Sequence, residues 1–324
     1  MNQQAINSFT SKGFRSRANL SWKATEDVLL YATWSQGFRP GGFNRGSTEQ
    51  LRGVDRTTGV ARRATYNQWQ IPFSFKSDDL VNKEIGWKTT LFNNRLQFNG
   101  AIYQETWENV QSAVFAPQAG FGNLTIGVNG PSYETKGISM SAIWRATDGL
   151  TFETSMAYNK AELTNSPQFI NNIPLVNKLP NPRFGQTITE AWVGTATSGG
   201  PVSVSNVFGV KGDPSALAPK FQANLRARYE WNHGAYDYYW QLGAAHQSAR
   251  ASSSNKLQSL QMPAWTDFSL SAGASKGNWN AELVVSNLTN IYDSQYTSAS
   301  QFITVVTPPR PRTIQLQIGY KFSE

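Results

Sequence analysis

The sequence predicts an all-β protein, an antiparallel β-barrel that crosses a membrane. Three observations carry this. Apolar and polar residues alternate with a period of two over most of the chain. The alternating stretches often run to ten residues or more, against about 5–6 for an average soluble strand and about 9–11 for a membrane-spanning one. The connections between them are short and long by turns, the habit of transmembrane barrels.

Composition narrows the field first. Only 39% of the 324 residues are apolar and 15% are charged, while 13% are aromatic. A soluble domain usually carries about a quarter charged residues. Ser, Thr, Asn, Gln, Gly and aromatics make up the difference, a mix that suits strands with one wet face and one greasy face. The absence of cysteine excludes disulfide frameworks, thiolate metal sites and thiol nucleophiles. No apolar run reaches about 18 residues, so a helical membrane protein is excluded. The 11 Trp, 12 Tyr and 18 Phe are too many for a disordered chain. Residues 1–20 hold no apolar core of the kind a signal peptide needs.

The strands follow in order. Ala18, Leu20 and Trp22, preceded by Phe14, alternate with Arg17, Asn19 and Lys23. Leu96, Phe98, Gly100 and Ile102 alternate with Gln97, Asn99 and Ala101. Leu150, Phe152, Met156 and Tyr158 alternate with Thr151, Glu153, Ser155 and Asn159. The cleanest case sets Phe221, Ala223, Leu225, Ala227, Tyr229 and Trp231 against Gln222, Asn224, Arg226, Arg228 and Glu230. The last sets Ile314, Leu316, Ile318, Tyr320 and Phe322 against Gln315, Gln317, Gly319 and Lys321. Strict alternation puts every second side chain on one face.

Tight turns are expected at Ala24–Asp27, Asn93-Asn94, Asp148-Gly149, Asn232–Ala235 and Lys276–Asn278, where Gly, Asn and Asp supply positive φ. Long connections are expected over roughly Arg39–Asp79, Glu108–Pro131, Asn165–Ala218, Gln247–Pro263 and Asn290–Arg310. Such lengths are rare inside compact soluble domains. Trp22, Trp34, Trp87, Trp144, Trp231 and Trp279 fall toward strand ends or near short turns, as interfacial aromatics do.

Four segments then resemble one family. Leu29–Gly46, LLYATWSQGFRPGGFNRG, resembles a barrel segment of TonB-dependent outer-membrane receptors through Tyr31, Ala32, Ser35, Gly37, Phe38, Arg39, Pro40, Gly41 and Gly42. Asn82–Gln111 resembles that family's hairpin through Glu84, Gly86, Lys88, Asn94, Arg95 and Leu96. Lys136-Gly137-Ile138 leading to Asp148-Gly149-Leu150 is the third, and Val285–Asn290, Tyr292 and Pro311-Arg312-Thr313 form the fourth.

The resemblance implies a barrel of about 22 strands around an N-terminal plug domain. Residues 1–324 show no plug and no recognisable TonB box, so the expectation is the C-terminal part of such a barrel, with about 11–13 strands. The implied function is outer-membrane active transport in a Gram-negative bacterium: capture of a scarce bulky nutrient such as a ferric siderophore, energised through TonB acting on the plug region. A passive diffusion porin is the alternative. The expected partners are outer-membrane lipid and lipopolysaccharide, TonB, the barrel-assembly machinery and a small-molecule or metal-chelate ligand.

Candidate residues follow from position. Arg39, Arg45, Arg52 and Trp69, in or beside the first long connection, are ligand-binding candidates, since arginine pairs well with oxyanions. Glu84, Lys88, Arg226 and Arg228 lie on polar faces and are expected to line the lumen. Tyr320 and Phe322 resemble the aromatic assembly signal at the end of such barrels. His233 and His246 come with no acid–His motif, and no enzyme, cofactor or metal site is expected. The +8 formal charge is read as lumen and loop lining, not as nucleic-acid binding.

Overall fold

The computed structural model describes residues 12–44, 74–115, 125–166, 169–170, 173–174, 204–205, 208–254, 259–293, 295–300 and 303–322. Eleven of its strands form one antiparallel sheet in which every strand pairs with its successor. They are β1 (Arg17–Thr25), β2 (Val28–Arg39), β3 (Asp78–Leu91), β4 (Leu96–Glu108), β5 (Ser132–Arg145) and β6 (Leu150–Asn165). Then come β7 (Phe221–His233), β8 (Tyr236–Gln247), β9 (Trp265–Lys276), β10 (Trp279–Ser286) and β11 (Thr313–Tyr320). No helix occurs among the described residues. The strand number and all five long connections agree with the sequence expectation.

Short turns close one end of the sheet. β7 and β8 are joined by two residues, with Gly234 at φ 62°, and β9 and β10 likewise, with Gly277 at φ 57°. Glycine there meets the positive φ that tight hairpins demand. Between β3 and β4 the same need is met by Phe92, Asn93 and Asn94 at φ 54°, 53° and 66°. The long connections all leave from the opposite end. There, short two-stranded ribbons extend the sheet, as Gln111–Phe115 does with Thr125–Asn129 and Tyr296–Ser300 with Ile303–Thr307.

Register settles the two faces. On the apolar face Ile85 pairs with Ile102, Ile102 with Ile138 and Ile138 with Tyr158. Ile85 is 68% exposed, Ile314 68% and Leu316 65%. So wide an exposed apolar surface is tolerable only against lipid. Near the short turns this face carries stacked rings, Trp144 on Phe152 and Trp231 on Tyr229 and Tyr238, and Trp279 tilted against Tyr320. That is an aromatic girdle at the membrane boundary.

On the polar face, tyrosines lie across glycines of the next strand. Tyr31 covers Gly86, where a Cβ would come within 2.5 Å of the ring, and Tyr103 covers Gly137 in the same way. The glycines let a large ring lie flat across the sheet, which pins the register between strands. The largest fully buried side chains, Phe208, Met262, Val128 and Asp78, gather at the long-connection end.

The sheet has two free edges, β1 and β11. Both strands run toward the short-turn end, because an even number of reversals separates them. They cannot pair antiparallel with each other. Antiparallel closure needs an odd number of further strands whose outer two both run the other way.

Candidate functional site

The polar face of β3–β6 and the connections above it border an open cavity of about 770 Å³ at the long-connection end. Its wall is built by alternation: Glu84 from β3, then Tyr103, Glu105 and Trp107 from β4, Tyr133 from β5 and Asn159 from β6. Ser252, Ser253 and Ser254 and the Ser215–Ala218 segment, all from other connections, also line it. The volume lies within the range of small-molecule sites, about 300–1,000 Å³.

A buried carboxylate stands beside this cavity. Asp78 opens β3 opposite Arg39, the last residue of β2, and is fully buried. It accepts hydrogen bonds from the Arg39 backbone N–H at 3.0 Å, from Arg39 Nε at 2.8 Å and from Nη2, and from the Gln111 N–H at 3.2 Å. Gln111 Nε2 donates to the carbonyls of Pro40 at 2.8 Å and Lys76 at 3.1 Å. The Arg39 guanidinium also lies 4.8 Å from the Trp107 ring centroid. The first two long connections are thereby clasped together beside the cavity. Only the carboxylate side of this pair is buried, the Arg39 side chain being 48% exposed, so losing the arginine, which strands the buried charge, is the costlier way to break it.

Among the described residues lining this cavity, the charges are Glu84 and Glu105, with no cation. Tyr31 O–H donates to Glu84 at 2.7 Å. Below lies a second space of about 590 Å³ bordered by Tyr31, Lys88, Asn99, Ser155 and Asn224. Nearer the short turns the charges pair off: Arg226 with Glu153, and Arg228 with Glu230 at 2.9 Å, with the Arg228 guanidinium 3.8 Å from the Tyr239 ring centroid. Four buried polar atoms of the same face have no hydrogen-bond partner: Asn82 Oδ1, Asn99 Oδ1, Trp265 Nε1 and Asp267 Oδ1. Such atoms in a native wall call for an explanation.

The predicted residues fall as follows. Glu84, Lys88, Arg226 and Arg228 share the polar face, by register. Arg39 lies beside the cavity, its guanidinium held by Asp78 and set against the lining Trp107. Arg45, Arg52 and Trp69 lie outside the described residues. Tyr320 ends β11 on the apolar face, and Phe322 meets its ring edge-on with centroids 4.9 Å apart. Among the described residues no group of His, Asp and Glu could hold a metal ion.

Sequence reasoning missed Asp78, Trp107 and Gln111. A signal existed for Asp78, since Arg39 and Asp78 bound the same long connection and hairpin symmetry sets them opposite each other.

The comparisons with known proteins agree with this architecture. The family model described as TonB dependent receptor-like, beta-barrel, matches residues 2–288. The ferric yersiniabactin uptake receptor FyuA of Yersinia pestis aligns with a TM-score of 0.63 at 14% identity, over 95% of this chain and 37% of its own. The siderophore receptor PiuA of Acinetobacter baumannii gives 0.63 at 15%, over 95% and 36%. The ferric preacinetobactin receptor BauA, also of Acinetobacter baumannii, gives 0.60 at 16%, over 98% and 38%. The chain thus spans little more than a third of each of these structures. No curated protein sequence matches it significantly. Fold and family are those of receptors, not enzymes. The alternating sheet, its girdle and its long connections are the barrel wall of a TonB-dependent receptor, and the chain belongs to that family.

Proposed function

We propose that the chain forms the C-terminal part of the barrel of an outer-membrane receptor of a Gram-negative bacterium, which imports a bulky nutrient such as a ferric siderophore with energy delivered through TonB. The family match over residues 2–288 carries this reading. The cavity under the long connections is the place for capture, since those connections face outward in transmembrane barrels. Arg45, Arg52 and Trp69 of the first long connection are the proposed ligand contacts. Arg39 would act beside them as the residue that anchors this connection through Asp78.

The polar face, with Glu84, Lys88, Arg226 and Arg228, is proposed to line the lumen. The unpaired atoms of Asn82, Asn99, Trp265 and Asp267 support a further protein surface against this wall, the plug domain through which TonB would act. The parallel edges of β1 and β11 support closure by an odd set of strands from elsewhere in the receptor. Tyr320 and Phe322 are the proposed contact for the assembly machinery, and lipid with lipopolysaccharide the surroundings of the apolar face.

The test is uptake by cells carrying the complete receptor, supplied with ferric chelates under iron starvation, with and without TonB. Uptake that requires both receptor and TonB is expected. Uptake that persists at full rate without TonB would overturn active transport and point to a porin.

A further inference from the structure

On the apolar face the apolar pattern ends toward the long connections, at a row that carries three lysines. Lys83 of β3 pairs with Gln104 of β4, Gln104 with Lys136 of β5, and Lys136 with Lys160 of β6. The row is therefore continuous across four strands, about 4.8 Å apart. The neighbouring row toward the short turns is Ile85, Ile102, Ile138 and Tyr158. The neighbouring row toward the long connections contains Glu134 opposite Glu162.

Like charges set directly opposite destabilise a sheet. Lys136 and Lys160 are so placed, and each is paired with a glutamate two residues away on its own strand, Glu134 at 2.7 Å and Glu162 at 3.0 Å. Both lysine side chains remain 59% exposed. Lys83 has no ion-pair partner among the described residues. Other lysines on this face of the described strands are confined to Lys276, at the short-turn end. The cluster is a patch on one sector of the wall, not a ring around it.

Its height is informative. Lys83, Lys136 and Lys160 lie eight, nine and ten residues from the short-turn ends of β3, β5 and β6, at Leu91, Arg145 and Leu150. At about 3.3 Å per residue and a tilt of about 40°, these are roughly 20, 23 and 25 Å above that end. The apolar band of such barrels is about 25 Å tall. The lysines thus stand at its outer edge, where long side chains reach past the acyl chains to the headgroups.

We infer that Lys83, Lys136 and Lys160 form a docking site for the phosphate of a phosphorylated glycolipid headgroup of the outer leaflet, whose acyl chains lie along Ile85, Ile102 and Ile138; Gln104, between them, is engaged by Glu134 and takes no part. The inference rests on the receptor reading only for which end of the wall faces outward.

The test is native mass spectrometry of the complete receptor in non-ionic detergent, titrated with a bis-phosphorylated, acylated glucosamine disaccharide. The combined Lys83→Gln, Lys136→Gln and Lys160→Gln variant should lose about tenfold or more in affinity. The phosphate-free form of the lipid should bind the native receptor equally weakly. Lys276→Gln should change nothing, and millimolar inorganic phosphate should not displace the lipid. Equal retention by the combined variant, equal binding of the phosphate-free lipid, or displacement by inorganic phosphate would overturn the site. If the combined variant fails to fold, Lys83→Gln alone decides, because that side chain is in no ion pair here; a loss of binding supports the site and none refutes it. Orientation is read separately, from a Lys83→Cys receptor labelled with a membrane-impermeant maleimide on intact cells. Phosphate-dependent binding without labelling from outside would overturn the orientation and support the site.

Discussion

Leu316 and Gln315 are neighbours on β11 with opposite fates, and replacing each by arginine tests the assignment of the two faces. Leu316 is 65% exposed on the apolar face and pairs with Leu283, itself 45% exposed. It lies four residues from Tyr320 in the girdle, about 10 Å above it and near the middle of the apolar band. Arginine at the midplane costs about 2–4 kcal/mol. Loss of the leucine, about two-thirds of whose surface meets lipid, adds roughly 1–2 kcal/mol. The total is about 3–6 kcal/mol, or two to four powers of ten in the folding equilibrium. Gln315 faces the other way and pairs with Val284, next to Glu282 paired with Gln317. Gln315→Arg should stay within about 0.5 kcal/mol. The assay is urea unfolding of the complete receptor in lipid vesicles, followed by tryptophan fluorescence. Equal shifts for both variants, or a larger one for Gln315→Arg, would refute the assignment of lipid and lumen faces.

Asp78→Ala removes the carboxylate that holds the half-exposed Arg39 guanidinium and the Gln111 N–H, and should cost about 1–3 kcal/mol in the same urea assay, from the lost hydrogen bonds. Asn287 accepts from the Ile291 N–H at 2.8 Å and donates to the carbonyls of Ile291 at 3.0 Å and Arg310 at 2.9 Å, with its own φ at 50°. Asn287→Ala should therefore destabilise by about 3 kcal/mol, and Asn287→Gly by less, since glycine relieves the φ strain but not the lost bonds. Phe322→Ser should lower the amount of heat-modifiable receptor recovered from outer membranes, and an unchanged yield would count against a role in assembly.

Strand positions, turn positions and the two faces were legible because each depends on residues close together in sequence. Alternation from Phe221 to Trp231 needs no knowledge of a partner strand, and Gly234 announces its hairpin by itself. The cavity was much less legible. Trp107 and Glu105 end a strand that any reader would locate, yet their nearness to Ser252–Ser254 depends on strands far apart in the chain. Arg39 illustrates the same limit. Its sequence neighbourhood suggests a free cation in a long connection, and only the pairing of β2 with β3 reveals Asp78 as its partner.

The sequence by itself determined an all-β wall with one lipid-compatible face, tight turns at one end, long connections at the other and a family. These follow from side-chain periodicity and local backbone preference. Only the tertiary structure decided which residues stand side by side across strands: Asp78 against Arg39, Tyr31 over Gly86, and Lys83, Gln104, Lys136 and Lys160 in one row. The physical reason is register. Slipping a strand by one residue turns its whole pattern to the other face, and slipping it by two changes every cross-strand neighbour while leaving the alternation intact.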